Sequence, residues 1–401
     1  MTDAVLADQA SAMAFNAQGM AALGRGAYAD AADLFARAAA ADPLAPALWI
    51  NLATAHRNAG DDEAERAALG RALEIDQLHL TATIRLAELH ERLGEHGPAA
   101  YRWSGVLAVA QAMPNRPAAL DELLRHAQDY VATQGKAFSE AVEASLAEAR
   151  GAVPPSERRR FDACLDAVLG RRRIYHNECE GLHFPFLPAD EFFERRHFPW
   201  LDEIEVMTGA IRAEFEALRD QGLSGFSPYV EMEPGVPANK WTALDHSLDW
   251  SALHLWRHGE AIEEAHRRCP ETAAALAAMP LAQVPKRMPT AFFSVLRPRT
   301  HLPPHNGVSN ARAIVHLPLI VPSGCRFRVG GETREWRVGE AWAFDDTIEH
   351  EAWNDSDELR AILIFDTWNP HLSEAERHLL TAFFAASEAS GFGLAASAIG
   401  D

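Results

Sequence analysis

Histidines in the last third of the chain are the residues whose types and spacing best suit chemistry. The sequence has 18 histidines, and four of them fall on or at the ends of predicted β-strands: His301, His305, His316 and His350. A non-haem iron site commonly uses His-x-Asp/Glu on one strand and a distant His on another. After His305, however, the carboxylate position is Gly307. On the residues alone, two interpretations of these histidines therefore stay open. They are metal ligands, or they are ordinary core or surface residues.

One arginine interrupts a predicted apolar strand. Arg360 follows His350 by ten residues and opens the run Arg-Ala-Ile-Leu-Ile-Phe. A buried guanidinium needs an anionic partner, and its rigid fork suits a carboxylate. One interpretation is the far carboxylate of a 2-oxoglutarate co-substrate whose other end would chelate iron. The alternative is a salt bridge to a neighbouring carboxylate, namely Asp345, Asp346 or Asp366.

The elements that must position these residues are β-strands. From Thr290 onward, short apolar runs alternate with Gly, Pro and Asp turns, which is typical of an antiparallel sandwich or barrel. The predicted strands are 292–296, 313–321, 341–344 and 359–365, with a hairpin formed by 325–329 and 333–338.

The first hundred residues are rich in alanine and repeat with a 34-residue period. Turn glycines recur at Gly26, Gly60 and Gly94, and large residues recur at Phe35, Leu69 and Trp103. This pattern resembles tetratricopeptide (TPR) repeats, in which each helix pair covers the apolar face of the next. A concave peptide-binding surface and a scaffold or dimerisation arm are both compatible with it.

Helices are also expected between the repeats and the strands. The segment from about 115 to 175 has helical composition, and Pro154-Pro155 should end one helix so that Ser156 caps the next. A single amphipathic helix is predicted from Glu203 to Arg219.

Composition narrows the classes of protein. The chain of 401 residues carries 37 Lys and Arg against 57 Asp and Glu, a net charge of −20. This charge argues against broad binding of nucleic acid or an anionic membrane. We expect no membrane span and no signal peptide. Four scattered cysteines without CxxC spacing predict neither a disulfide framework nor a thiolate zinc site, so a cytoplasmic location is expected.

The β-region resembles the aspartyl/asparaginyl β-hydroxylase family of 2-oxoglutarate-dependent oxygenases over about residues 183–375. The matching motifs are Pro-His-Asn-Gly-Val-Ser-Asn-Ala-Arg at 304–312, His-Leu-Pro-Leu at 316–319, Phe-Asp-Asp-Thr-Ile-Glu-His-Glu-Ala-Trp-Asn at 344–354, and Phe-Asp-Thr-Trp-Asn-Pro at 365–370.

The resemblance implies a double-stranded β-helix (a cupin-like jelly roll) that uses Fe(II), 2-oxoglutarate and O2. It also implies two histidine ligands without a protein carboxylate, which agrees with the glycine two residues after the first histidine. By position, His305 and His350 are the expected iron ligands. Arg360 and Ser294 are expected to hold the far carboxylate of 2-oxoglutarate, and His316 to lie near its 2-oxo acid end.

Two further residues complete the expected site. Animal relatives carry Arg two residues before His316, where this chain has Ile314. Arg312 is the candidate to replace that arginine. Strand alternation places residues 312, 314 and 316 on one face, so Arg312 could reach the 2-oxo acid end only from a position further along the strand. Trp250 is expected either to wall the substrate pocket or to pack in the core.

Together these observations predict an α+β multidomain protein. We expect TPR-like helical repeats at 1–115, a helical connector at 116–182, and a double-stranded β-helix oxygenase domain with flanking helices at 183–401. The expected activity is hydroxylation of an unactivated C–H, with the β-carbon of an Asp or Asn residue in a peptide or protein held by the repeats as first choice. The alternatives are a hydroxylase of a small molecule or lipid, and a non-catalytic scaffold.

Overall fold

The protein is described by a computed structural model, which covers residues 2–114 and 117–390. It forms two compact units, Met1–Leu165 and Asp166–Asp401. The three-part division expected from the sequence stays a prediction, and its first boundary, at residue 115, lies outside the described residues.

The first unit consists of helices in pairs, and it confirms the helical repeats. Phe35, Leu69 and Trp103, one period apart, are all buried completely or nearly so. The turn glycines adopt left-handed φ angles of 70° to 77°, which only glycine takes without strain. The helices are α1 (Thr2–Gly24), α2 (Tyr28–Ala41), α3 (Pro46–Ala59), α4 (Asp62–Ile75), α5 (Leu80–Arg92), α6 (His96–Gln111), α7 (Asp121–Gly151) and α8 (Pro155–Val168).

Two helix boundaries differ from expectation. Helix α8 begins at Pro155, so Ser156 lies in its first turn and is not its cap. Proline is well placed at a first helical position because its missing N–H would have no partner there. The predicted helix 203–219 is two helices, α9 (Leu201–Val206) and α10 (Thr208–Asp220). The break lies at Met207, where the chain packs both apolar faces into one core.

The second unit contains two antiparallel sheets and further helices. The strands are β1 (Ser227–Pro228), β2 (Trp250–Arg257), β3 (Glu260–Ala261), β4 (Ala291–Leu296), β5 (Thr300–His305), β6 (Arg312–Ile320), β7 (Cys325–Val329), β8 (Glu332–Glu335), β9 (Trp342–Phe344), β10 (His350–Asn354) and β11 (Arg360–Trp368). The helices here are α11 (Glu263–Arg268), α12 (Pro270–Ala277) and α13 (Glu374–Ala389).

The chain winds back and forth between the two sheets. The larger has the order β1-β2-β4-β11-β6-β9, with β3 beside β2, and the smaller has the order β5-β10-β7-β8. From β4 onward the chain alternates between the two sheets, with the hairpin β7–β8 counting as one step in the smaller sheet. This is the winding of a double-stranded β-helix. The expected hairpin forms but is shorter, because Trp336 leaves the strand and is buried.

Side chains between the sheets form one core, and those behind the larger sheet form another. The helices α9, α10 and α12 pack on the face of the larger sheet that points away from the smaller sheet. There they contact alternate side chains of β4, β6 and β11. The facing sides of the two sheets pack aromatic residues around a cavity. Because successive side chains of a strand point to opposite faces, one face of the larger sheet packs in a filled core and the other lines the cavity.

Candidate active site

The cavity between the sheets collects the seven residues to which a role in the site was assigned, whereas His301 lies outside it and contacts Glu351. Its volume is about 100 Å³, enough for several non-hydrogen atoms given the 10–15 Å³ or so that one water needs. The predicted residues in its wall are Trp250, Ser294, His305, Arg312, His316, His350 and Arg360. Their convergence is a fact of geometry, whereas their roles stay predictions.

His305 and His350 face each other on the smaller sheet. The two residues are register partners on β5 and β10, and their ring centroids lie 4.0 Å apart. Each Nδ1 lies within hydrogen-bond distance of a backbone carbonyl, that of Pro303 at 2.7 Å and that of Ile348 at 3.0 Å. A carbonyl only accepts, so each Nδ1 carries the proton and each Nε2 keeps its lone pair.

Burial also keeps these two imidazoles neutral. It lowers the pKa of His350 to about 4 and that of His305 well below its ordinary value. A neutral ring whose tautomer is fixed by a backbone acceptor is the form that ligates a metal.

The glycine at the carboxylate position of the His-x-Asp/Glu pattern faces Asp346, which belongs to another strand connection. A Cβ at Gly307 would lie 2.2 Å from the carboxyl carbon of Asp346, so no larger residue fits there. The Gly307 N–H also donates to the Asp346 carbonyl at 2.6 Å. Within residues 2–114 and 117–390, no group of three or more His, Cys, Asp or Glu side chains is arranged to hold a metal ion.

Arg360 is buried in the larger sheet without a carboxylate partner among the described residues. Only 1% of it is exposed. Its Nη1 donates to Ser294 Oγ at 3.4 Å, and its guanidinium carbon lies 4.9 Å from the ring centroid of Trp336. Its Nε has no hydrogen-bond partner in the described chain, and burial lowers the pKa of Arg360 to about 10.

The salt bridge considered for Arg360 does not form. The three candidate carboxylates bind elsewhere: Asp345 accepts from Asn177 at 2.7 Å, while Asp346 and Asp366 flank Arg312. A buried cation facing a cavity without a counter-charge is costly, so this end of the cavity is suited to an anion.

His316 lies beside Arg360 in the cavity wall. Trp336 Nε1 donates to its Nδ1 at 3.3 Å, and its ring packs against Phe327 and Phe344. Burial, and next the charge of Arg360, hold the pKa of His316 well below its ordinary value. The imidazole is thus neutral, with Nε2 as its protonated nitrogen.

Arg312 occupies the position that strand alternation predicts, and Trp250 has both of the roles considered for it. Arg312, Ile314 and His316 all face the cavity, and Arg312 lies furthest from Arg360 along the sheet. Trp250 stacks on Tyr229 with ring centroids 3.8 Å apart and donates from Nε1 to Ser294 Oγ at 3.2 Å. Trp250 therefore both lines the cavity and packs in the core.

A segment that precedes the sheets ties together the loops carrying the two histidines, and sequence reasoning missed it. Asn177 donates to Asp345 and to Thr347 Oγ1, just before His350. The N–H of Glu180 donates to the carbonyl of Gly307, just after His305. Burial raises the pKa of Asp345 to about 7, against the hydrogen bonds from Thr347. A lone Asn in a loop offers no signal of such a partner.

Comparisons with known proteins identify a family to which this chain is similar. The family model described as Aspartyl/Asparaginyl beta-hydroxylase matches residues 207–370. A human aspartyl/asparaginyl beta-hydroxylase is 32% identical over 189 residues, which is 46% of this chain and 24% of the relative. The ornithine lipid ester-linked acyl 2-hydroxylase of Rhizobium tropici is 34% identical over 203 residues, or 49% of this chain and 67% of the relative.

The chain belongs to the aspartyl/asparaginyl β-hydroxylase family. It spans about a quarter of the length of the human relative. The matched part lies in the second unit and contains every predicted site residue.

The first unit resembles TPR domains of solved structures. The first TPR of Spaghetti (RPAP3) covers 33% of this chain and 95% of its own length, at 18% identity and a TM-score of 0.27. The Sgt2 TPR domain from Aspergillus fumigatus covers 36% and 85%, at 22% identity and a TM-score of 0.27. Among the described residues, no helix has the length and apolar character needed to cross a bilayer.

Proposed function

We propose that the protein is an Fe(II)- and 2-oxoglutarate-dependent dioxygenase that hydroxylates an unactivated C–H. The observation that carries this proposal is Arg360, a buried cation that faces the cavity without a carboxylate partner in the described chain. Two neutral imidazoles face the same cavity. An anion site and two imidazole nitrogens with free lone pairs in one cavity would suit a dicarboxylate together with a metal ion.

The histidine pair fits an iron ion. His305 and His350 would hold it through their Nε2 atoms, because both Nδ1 atoms donate to backbone carbonyls. Bound iron with O2 supplies the oxidising power that the side chains lack. The protein orients the reactants, and its aromatic walls exclude water.

The larger sheet would position 2-oxoglutarate. Arg360 and the Ser294 hydroxyl bind the far carboxylate in this scheme, and Trp250 fixes that hydroxyl from behind. His316 lies in the same cavity wall, and its neutral Nε2–H would be the donor for the 2-oxo acid end of a bound co-substrate.

For the substrate, we propose a peptide or protein whose Asp or Asn side chain enters the cavity, with the helical repeats of the first unit as its receptor. Paired helices in the first unit support this choice because stacked repeats present an extended surface. A lipid or small-molecule substrate is the second candidate, favoured by the likeness to the acyl 2-hydroxylase. A cytoplasmic location stays a prediction.

The test is binding of 2-oxoglutarate without oxygen, followed by succinate formation when oxygen is admitted. We expect binding that Arg360→Met abolishes and that Arg337→Met, an exposed matched control, leaves unchanged. His305→Ala and His350→Ala should each weaken metal binding. Succinate formation at the same rate in the wild type and in all three site variants would contradict the oxygenase proposal. It would favour a non-catalytic scaffold.

A further inference from the structure

Lysine is rare in this chain, and one lysine differs from the others in its surroundings. The sequence contains three lysines, Lys136, Lys240 and Lys286. Lys136 pairs with Glu140 and Lys286 pairs with Glu388, each at 3.8 Å. Lys240 is exposed, and no carboxylate of the described residues lies within 4 Å of its ammonium. This ammonium is therefore available to an anion from outside the chain.

A hydrogen-bonded turn holds Lys240 beside the cavity. The Asn239 side chain accepts from the N–H of Trp241 at 2.8 Å, and the Thr242 hydroxyl accepts from the N–H of Asn239 at 2.8 Å. The Lys240 ammonium lies 5.5 Å from the ring centroid of Trp241, and that ring lies 4.9 Å from the ring of His305. An exposed cation is thus fixed close to an imidazole of the cavity wall.

Trp241 adds a second donor beside the cavity. Its side chain is only 3% exposed, and its Nε1–H has no hydrogen-bond partner in the described chain. The ring lies edge-on against His305 and stacks on Trp250, with centroids 5.8 Å apart. Both of these residues line the cavity. Buried N–H groups nearly always meet an acceptor, because leaving one unpaired is costly, so this N–H points to an acceptor supplied by a ligand.

The charge of Lys240 acts on groups at both sides of the first histidine. The N–H of Glu180 donates to the Gly307 carbonyl at 3.0 Å, which places Glu180 beside the loop that follows this histidine. Burial raises the pKa of the Glu180 carboxyl, and the charge of Lys240 opposes this effect. Burial is also the main cause of the lowered pKa of His305 and His350, and the charge of Lys240 lowers both further. Lys240 therefore influences the site without forming an ion pair with Glu180.

We propose that Lys240, together with the Trp241 N–H, binds a carboxylate of the peptide substrate outside the cavity, next to the residue that is hydroxylated. This inference rests on the proposed function and deepens it, since it adds a preference for an acidic neighbour. A carboxylate has two oxygens and accepts from an ammonium and an N–H at the same time. When the reacting side chain occupies the cavity, the peptide backbone stays outside, where a neighbouring acidic side chain is near Lys240.

The experiment is calorimetric titration of the full chain, loaded with Mn(II) and 2-oxoglutarate so that no turnover occurs, with three blocked heptapeptides. All three have a central aspartate and differ only in its two neighbours, which are glutamate, glutamine or lysine. We expect the glutamate peptide to bind about three- to tenfold more tightly than the glutamine peptide, and the lysine peptide to bind most weakly. This preference should shrink as salt is raised. Equal affinities, or no binding by any of the peptides, would overturn the inference.

Variants test whether Lys240 causes the preference. Lys240→Gln should weaken binding of the glutamate peptide to the level of the glutamine peptide, whereas Lys286→Gln, an exposed matched control, should change neither affinity. Lys240→Glu should make the lysine peptide bind more tightly than the glutamate peptide. Trp241→Phe keeps an aromatic ring against His305 and should weaken binding of the glutamate peptide alone.

Two other results would count against these assignments. A preference for glutamate that persists in Lys240→Gln would show that another group recognises the acidic neighbour. If 2-oxoglutarate binding is unchanged in Arg360→Met, the proposed function fails, and this is measured without any peptide.

Discussion

Gly307 and Asp346 share a space that only one side chain can fill. A Cβ at position 307 would lie 2.2 Å from the carboxyl carbon and from one carboxylate oxygen of Asp346. Asp346 in turn is held by Arg312 at 3.1 Å. Gly307 is therefore required by the packing of the site. Its lack of a side chain, two residues after His305, leaves room for the Asp346 carboxylate, which comes from a different loop.

Replacing this glycine should disturb the fold around the histidines. We expect Gly307→Ala to lower the free energy of unfolding by about 1–3 kcal/mol, because the added methyl group would collide with the buried Asp346 carboxylate. Urea denaturation measures this change. The control is Gly135→Ala in α7, where a Cβ meets nothing within 4 Å and alanine favours the helix. Equal effects at both positions would contradict the close approach.

Removing the charge of Arg360 should stabilise the protein while it abolishes anion binding. Arg360→Met replaces a buried cation by an apolar chain of similar length, so we expect the free energy of unfolding to rise by about 1–3 kcal/mol. Thermal unfolding without 2-oxoglutarate measures the gain. Arg337→Met, exposed at its site, should change stability little. A loss of stability in Arg360→Met would mean that the guanidinium is satisfied within the fold.

The hydrogen bonds of Asn177 should support the loop that leads to His350. Asn177→Ala leaves the buried Asp345 carboxylate with one donor fewer, at an expected cost of about 1–3 kcal/mol. The exposed Asn58, which donates to the Thr54 carbonyl within α3, is the matched control and should cost nothing measurable. Urea titration of both variants compares them, and a second readout is Mn(II) affinity, which only Asn177→Ala should lower.

His254 should make stability depend on pH. It packs against Phe292 behind the cavity, with ring centroids 5.0 Å apart, and burial lowers its pKa to about 4. Between about pH 6.5 and pH 4, His254 binds a proton in the unfolded chain but not in the folded chain. The contribution of this residue to the free energy of unfolding is therefore fully present above about pH 6.5 and is lost as the pH falls to 4 and below, by about 3 kcal/mol in total.

The variant His254→Phe isolates this contribution. The difference in free energy of unfolding between it and the wild type should change between pH 7 and pH 4.5, in favour of the variant at the acid end. The same exchange at His378, exposed on α13, is the control. A constant difference across this pH range would show that His254 accepts its proton in the folded state.

The predictable part of the site lies in residues whose neighbours in sequence carry the signal. His305, His350 and Arg360 stand within motifs or on alternating strands, so their convergence follows once the sheets are drawn. Asn177 could not be found this way, because its partner Asp345 lies 168 residues away. The ion pair between Arg312 and Asp366 could not be predicted either, because it depends on the register between β6 and β11.

The fold shows the same limit. Helical periodicity and turn glycines predict the repeats, because each helix pair is local in sequence. Strand β2 has no such local signal, because its run from Trp250 to Arg257 contains Ser, His and Trp residues without a clear alternation of apolar and polar side chains. Its place beside β4 depends on a partner some forty residues away in sequence.

The tie between Asn177 and Asp345 has a consequence for the order of events during synthesis. At a rate of about 5–20 residues per second, roughly 8 to 35 s separate the two residues as they leave the ribosome. Closing such a long loop is entropically costly and slow compared with forming the helix pairs of the first unit. The nascent chain therefore completes its helical repeats well before the two imidazoles can come together.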